Sequence, residues 1–251
     1  MRLDRAIFAT CMVGVACGDI DTGPNVAASL EFTALPFPAV VAGDTLRDTS
    51  GVAAPLRAIV FNAGNEQIVD APVRYAALES VVTVDGVTGW LVAGSVVDTA
   101  ARIIAFIGNL QSAPLRLSVV QRPDSAASSG TIDTLRYSVT DSTRNLSGDL
   151  AVRVLHRGTT GVIPVRDWVV TFALQTPSDS TRARIEDDNQ RRSTLDTTST
   201  AGIASRKIRL FPAGLASARD SIVVLARARY RGAQVAGSPV RLVLRVEPRV
   251  P

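Results

Sequence analysis

Cysteine is almost missing from this chain. Of its 251 residues only Cys11 and Cys17 carry a thiol, and both fall at the N-terminal end. The body of the chain therefore has no disulfide, no cysteine nucleophile and no thiolate metal site, and its core must hold by packing alone. Histidine is nearly absent too. His156 stands alone, which excludes histidine-based triads and multi-histidine metal centres. It falls in an alternating strand-like segment, so a structural or surface role is expected. No phosphate loop, no Gly-x-Gly-x-x-Gly after a strand and no His-Glu-x-x-His is present. No catalytic, cofactor-binding or metal-ligating residue is assigned, no cofactor is expected, and the reading is of a non-enzymatic protein.

Lysine is reduced to Lys207, and aromatic residues to 5%. The formal charge is only +4, and the arginines are spread along strand-like segments. A nucleic-acid binder should show clustered positive charge with interleaved aromatics, so nucleic acid is not expected as a partner. Long apolar runs are missing as well. The run Ala6 to Ala16 is eleven residues, whereas a helix needs about twenty to cross a bilayer core.

That run nevertheless has a recognisable setting. It follows Arg2 and Arg5 and ends in Gly14-Val15-Ala16-Cys17-Gly18, the charged start, short apolar centre and small-residue end of an export signal. The pattern resembles a bacterial lipoprotein signal, with Gly14 where a large aliphatic is usual. The resemblance implies cleavage before Cys17, lipidation of the Cys17 thiol and a membrane partner through the lipid anchor. Gly18, not Asp, follows the cysteine, which in the lipoprotein sorting pattern implies the outer membrane. Ordinary signal peptidase could cut the same bond, and plain secretion remains open beside it.

Beyond the leader, hydrophobic residues make up 46% of the sequence, enough for packed cores. Short apolar segments recur at spacings near ten residues, split by turn signals such as Ala42-Gly43-Asp44, Asn62-Ala63-Gly64-Asn65 and Asp85-Gly86. This pattern points to an antiparallel all-β sandwich. Alternation is clear in Leu115 to Val120, Asp149 to His156 and Asp220 to Tyr230. The polar stretch Arg122 to Gly130 reads as a linker. The expected division is a signal peptide at 1–16, a tether at 17–29, one domain at 30–121, the linker at 122–130 and a second domain at 131–251.

The first of these domains resembles the bacterial immunoglobulin-like repeat. The features that carry it are Ala58 to Asn65 followed by Ala71-Pro72-Val73, then Val84 to Gly94, then Ala105 to Gly108 with Leu115 to Val119. The second resembles the invasin and intimin type. Val169-Val170-Thr171-Phe172 precedes Thr198-Ser199-Thr200-Ala201-Gly202-Ile203-Ala204, which matches the family's T-x-x-x-G-x-A skeleton with Ser199 where Asp is common. Two tandem immunoglobulin-like sandwiches are thus expected on a lipid anchor. The resemblance implies an exported envelope protein acting in adhesion or as a structural spacer, with a protein or glycan partner. The alternative is an accessory subunit of an envelope assembly that binds partners by strand addition.

Three further features have weighable roles. Trp90 and Trp168 are expected in sandwich cores. Glu186-Asp187-Asp188 could offer oxygen ligands to calcium, but Arg191 and Arg192 oppose it, and a solvated loop is expected. The stretch Pro177 to Thr198 is longer than a hairpin loop should be and is the candidate contact surface.

Overall fold

The computed structural model describes residues 23, 25–159, 161–177, 182–211 and 220–249. Cys17, the leader and most of the expected tether lie outside them.

In the N-terminal half, alternating and continuous apolar segments form nine strands. They are β1 (Ser29–Glu31), β2 (Ala39–Val41), β3 (Ile59–Phe61), β4 (Arg74–Ala77) and β5 (Val82–Val84), then β6 (Leu91–Ala93), β7 (Thr99–Ile107), β8 (Leu110–Gln111) and β9 (Leu115–Val120). The sheet β2-β9-β7-β4, with β8 on β7, is accompanied by the pairs β1-β3 and β5-β6. Leu46, Leu56, Leu91, Ile103 and Leu117 fill the interior.

The C-terminal half holds β10 (Ser125–Ser129), β11 (Leu135–Tyr137), β12 (Leu150–Gly158), β13 (Gly161–Pro164), β14 (Val169–Thr176) and β15 (Ala183–Glu186). These are followed by β16 (Leu195–Thr197), β17 (Ile203–Leu210), β18 (Asp220–Tyr230), β19 (Ala233–Gln234) and β20 (Val240–Pro248). One sheet runs β10-β12-β17-β15 with β13 on β12, and the other runs β11-β20-β18-β14-β16 with β19 on β18. Between them lie Leu150, Val152, Phe172, Ile208, Leu242 and Leu244. Burying each such side chain contributes about 1.5 to 3 kcal/mol, which replaces the missing disulfides.

The two halves repeat one topology. In each, the opening strand pairs antiparallel with a strand of one sheet, β1 with β3 and β10 with β12. The chain then crosses, and the next strand runs parallel to the last strand of its half, β2 along β9 and β11 along β20. The orders β2-β9-β7-β4 and β11-β20-β18-β14 are the same. The fold is all-β and immunoglobulin-like. The two parallel pairs depart from the all-antiparallel expectation, because the opening segment of each half switches sheets and must lie beside the closing strand.

Two stretches expected as irregular are strands. Ser125–Ser129, placed in the linker, pairs with β12 along its whole length. Its Ala and Ser side chains are small enough to lie close to the neighbouring sheet edge, and Ala126 is buried. Within Pro177 to Thr198, β15 pairs with β17 and β16 with β14. The supposed insertion thus supplies two edge strands, with Arg184, Glu186 and Asp196 on them and Asp187, Asp188, Arg191 and Arg192 in the connection between. Among the described residues there is no α-helix.

Candidate functional site: the joint between the two halves

Only the four residues 121–124 separate β9 from β10, so the halves are held close. No named strand of one half pairs with a strand of the other among the described residues. What joins them is side-chain chemistry.

The centre of the joint is Asp44, on the Gly43-Asp44 turn after β2 and only 7% exposed. Its carboxylate accepts from Thr45 N at 2.9 Å and from Arg47 Nε and Nη2, each at 3.1 Å. From the other half, Tyr230 OH donates to it at 2.9 Å, and Arg231 donates through Nε at 3.1 Å and Nη2 at 2.9 Å. Burial pushes the Asp44 carboxyl up, but the hydrogen bonds from Arg231, Arg47, Tyr230 and Thr45 together outweigh it and hold it well below the usual carboxylate range. Burial and the donated bond to Asp44 push the Tyr230 hydroxyl up, so it stays a donor. Two arginines on one carboxylate leave a local excess of positive charge.

Four other contacts flank this clasp. Ser118 Oγ donates to Asp167 Oδ2 at 2.6 Å, and Arg166 Nη2 donates to Thr99 O at 3.2 Å. The Phe37 ring lies 4.8 Å from that of Trp168, which in turn meets Tyr230 edge-on at 6.3 Å. The backbones of Gly51 and Gly232 approach so closely that a Cβ on Gly51 would sit 2.0 Å from Gly232 N.

Trp168 reaches the joint because the loop between β13 and β14 is pinned. Thr198 Oγ1 donates to Val165 O at 2.7 Å and accepts from Trp168 N at 2.8 Å. Thr198 O accepts from Asp167 N, and Thr198 N donates to Trp168 O. The T-x-x-x-G-x-A skeleton thereby gains a physical account. Thr198 pins the Trp168 loop. Gly202, at φ +72°, sits where a Cβ would meet Val154 O at 2.7 Å, and Ala204 is buried in the sandwich.

Beside the clasp lies a partly open cavity of about 190 Å³ between the halves. Phe37, Val40 and Trp168 line it with apolar surface, and Asp44, Arg47, Thr171, Arg227, Arg229 and Arg231 line it with polar and charged groups. In the β14–β18 register Thr171 opposes Arg227 and Val170 opposes Ala228. Val170 and Ala228 are fully buried, so Arg227 and Arg229 fall on the opposite, outer face.

The residues singled out in the sequence fall as follows. Trp168 is 6% exposed and buried as expected, though at the joint rather than deep in one sandwich. Trp90 is 42% exposed, against expectation. Leu91 and Ala93 take the buried positions of β6, so alternation turns Trp90 outward with Val92. His156 Nδ1 lies 2.7 Å from Asp124 Oδ2 and 2.9 Å from Arg122 O, a short tie across the connection between the halves. Of the acidic trio, Glu186 is fully buried rather than solvated, because Arg209 Nε lies 2.9 Å from both its oxygens and Arg184 Nε 2.8 Å from Oε1. Asp187 accepts from Arg191 N at 2.8 Å, and Asp188 pairs with Lys207 at 2.9 Å. The three carboxylates thus turn to separate partners, Glu186 to arginines, Asp187 to a backbone amide and Asp188 to Lys207, instead of converging on one point. Cys17 lies outside the described residues. Asp44 carried no sequence signal beyond its turn and Tyr230 none beyond ending an alternating segment, and Arg231 carried none.

No family model matches this sequence, and no curated protein matches it. Among solved structures, domains 4 and 5 of the S-layer protein SbsC align at 11% identity over 88% of this chain and 96% of that one, with a TM-score of 0.30. The adhesin InvE of Yersinia pseudotuberculosis aligns at 12% identity over 85% of this chain and 57% of its own, with a TM-score of 0.34. The EC1-2 region of human protocadherin-24 aligns at 14% identity over 90% of this chain and 100% of its own, with a TM-score of 0.27. Superpositions this loose carry no argument about function, which rests on the geometry of the joint.

Proposed function

We propose that this protein is a non-enzymatic, exported envelope lipoprotein, anchored through Cys17, whose two immunoglobulin-like modules form a stiff spacer that presents a binding surface to a partner. The modules correspond to 30–121 and, with β10 included, about residue 125 onward. The observation that carries this reading is the clasp on Asp44. A flexible tandem needs only a linker, whereas here a buried carboxylate is bound by three side chains from both halves, and two tilted rings, one from each half, meet beside it. Interfaces between domains of one chain are mobile by default unless they are strongly held. A clasped pair transmits position, which suits a spacer or an adhesin stalk. The anchor follows from the leader pattern ending at Cys17. Several acyl chains on one cysteine anchor stably, since each buried methylene contributes about 0.8 kcal/mol.

Two measurements test the reading. Cys17→Ser should move the protein from the membrane to the soluble fraction, and unchanged fractionation would remove the anchor. Spin labels placed one in each half should give one narrow distance distribution, and a broad one would remove the stiff spacer.

A further inference from the structure

Arg227 and Arg229 line the cavity without a counter-charge among the described residues. Asp44 is already shared by Arg47 and Arg231, and Asp48 is taken up by its own turn, accepting from Ser50 N, Ser50 Oγ and Val52 N. No carboxylate among the described residues lies within ion-pair distance of Arg227 or Arg229. The cavity lining is therefore part apolar and net positive, with two guanidinium groups that have no ion pair among the described residues.

The positive charge continues outside. On β20 the buried residues Val240, Leu242, Leu244 and Val246 alternate with outward Arg241 and Arg245. On β11, exposed Arg136 lies between buried Leu135 and Tyr137. With Arg227 and Arg229 these make five arginines on one sheet face that have no ion pair among the described residues, with Glu247 the acidic residue described among them. Arg227 and Arg229 are about 7 Å apart along the strand, and Arg241 and Arg245 about 13 Å, at roughly 3.3 Å per residue. The face thus carries an extended, spaced row of cations leading into a pocket.

We propose that this face binds an acidic polysaccharide and that the joint cavity takes one of its carboxylated sugar rings, with the carboxylate on Arg227 and Arg229. The volume fits one ring, since an engineered cavity of about 150 Å³ holds benzene. The lining fits a sugar: apolar Phe37, Val40 and Trp168 lie under the ring's C–H face, with hydroxyl and charged groups around its edge. Guanidinium forks recognise carboxylates through paired hydrogen bonds. A single-stranded nucleic acid fits less well, because successive bases need successive aromatic platforms, whereas Phe37 and Trp168 share one cavity with room for a single ring. This inference deepens the presentation reading by naming the partner class, and rests on it only in that respect.

The test titrates the purified full chain by calorimetry with tri-galacturonate and with a hyaluronan tetrasaccharide, at low salt. Maltotriose and a short oligothymidine serve as controls. Binding of a uronate oligosaccharide is expected, weakened at least tenfold by the double substitution Arg227→Gln and Arg229→Gln, and likewise by Thr171→Trp, which puts a side chain into the cavity. Since neither arginine pairs with another side chain, the unliganded unfolding midpoint of the double variant should match the parent, and the oligosaccharide should raise the midpoint of the parent alone. Three results overturn the proposal: no binding of either uronate, equal binding of maltotriose, or oligothymidine binding as tightly with the same loss in the double variant. The titration does not involve Cys17 or the spin-label distances, so its failure leaves the anchor and spacer standing, and theirs leaves it standing.

Discussion

Asp44 is held by both charge and burial, and pH separates the two. Its folded pKa lies below that of an unfolded carboxylate, about 3.9, so its contribution to stability is fully present above about pH 4 and is lost as the pH falls towards the folded value. Asp44→Asn keeps the shape but loses the charge on which Arg47 and Arg231 converge. It should cost about 2 kcal/mol near neutral pH, the size of a charge-assisted hydrogen bond. Urea unfolding at a series of pH values checks this: the gap between parent and variant should narrow on going below about pH 4, and a constant gap would mean that the charge does not matter. Thr198 offers a second test at this scale, free of charge effects. Thr198→Val preserves volume yet removes the hydroxyl that joins Val165 O to Trp168 N in a buried setting. Leaving those groups unsatisfied should cost about 1 to 3 kcal/mol, read as a lower urea midpoint together with a shifted tryptophan emission.

Among the elements, β15 shows how an edge strand can carry a buried charge. Glu186 is sealed under Arg209, which also reaches Thr143 O at 3.1 Å and Gln190 Oε1 at 2.8 Å. Glu186→Gln removes one ion of a buried pair and strands the other. It should cost about 3 to 5 kcal/mol by denaturant unfolding, and a loss within error would mean that water reaches the pair. The sequence displayed such elements unevenly. β9 and β18 were legible because apolar and polar residues alternate in Leu115 to Val119 and along most of Asp220 to Tyr230, although burial reaches both faces at Ser118 and Val223. β2 was not, since Ala39, Val40 and Val41 are all buried and show no alternation. β10 and β15 were hidden for another reason. Ser and Ala in the first, and Arg and Glu beside Ala and Ile in the second, have the composition of loops, and only the neighbouring strand makes them sheet. Trp90 failed by register: the strand after it was foreseen, but not which face it would turn to the core.

At the scale of the whole molecule the joint was invisible in the sequence because it is made by distance along the chain. Asp44 and Tyr230 are 186 positions apart, and no local pattern couples them. The same separation allows the joint to be tested without touching either core. Gly51 adopts φ +90°, and its missing Cβ would lie 2.0 Å from Gly232 N and 2.8 Å from the Arg231 carbonyl carbon, atoms of the other half's backbone. Backbone cannot swing aside as a long side chain can, so Gly51→Ala must either part the halves or strain the turn, at about 1 to 3 kcal/mol for the unfavourable φ alone. Parting them pulls Arg231 from Asp44 and Phe37 from Trp168, while the interiors around Leu117 and Phe172 stay closed. The expected signature is a broadened distance distribution between labels in the two halves, with a single unfolding transition splitting into two. If Gly51→Ala leaves both the distance and the cooperativity unchanged, the halves do not depend on this contact, and the clasp on Asp44 is one attachment among many rather than the feature that makes the pair stiff.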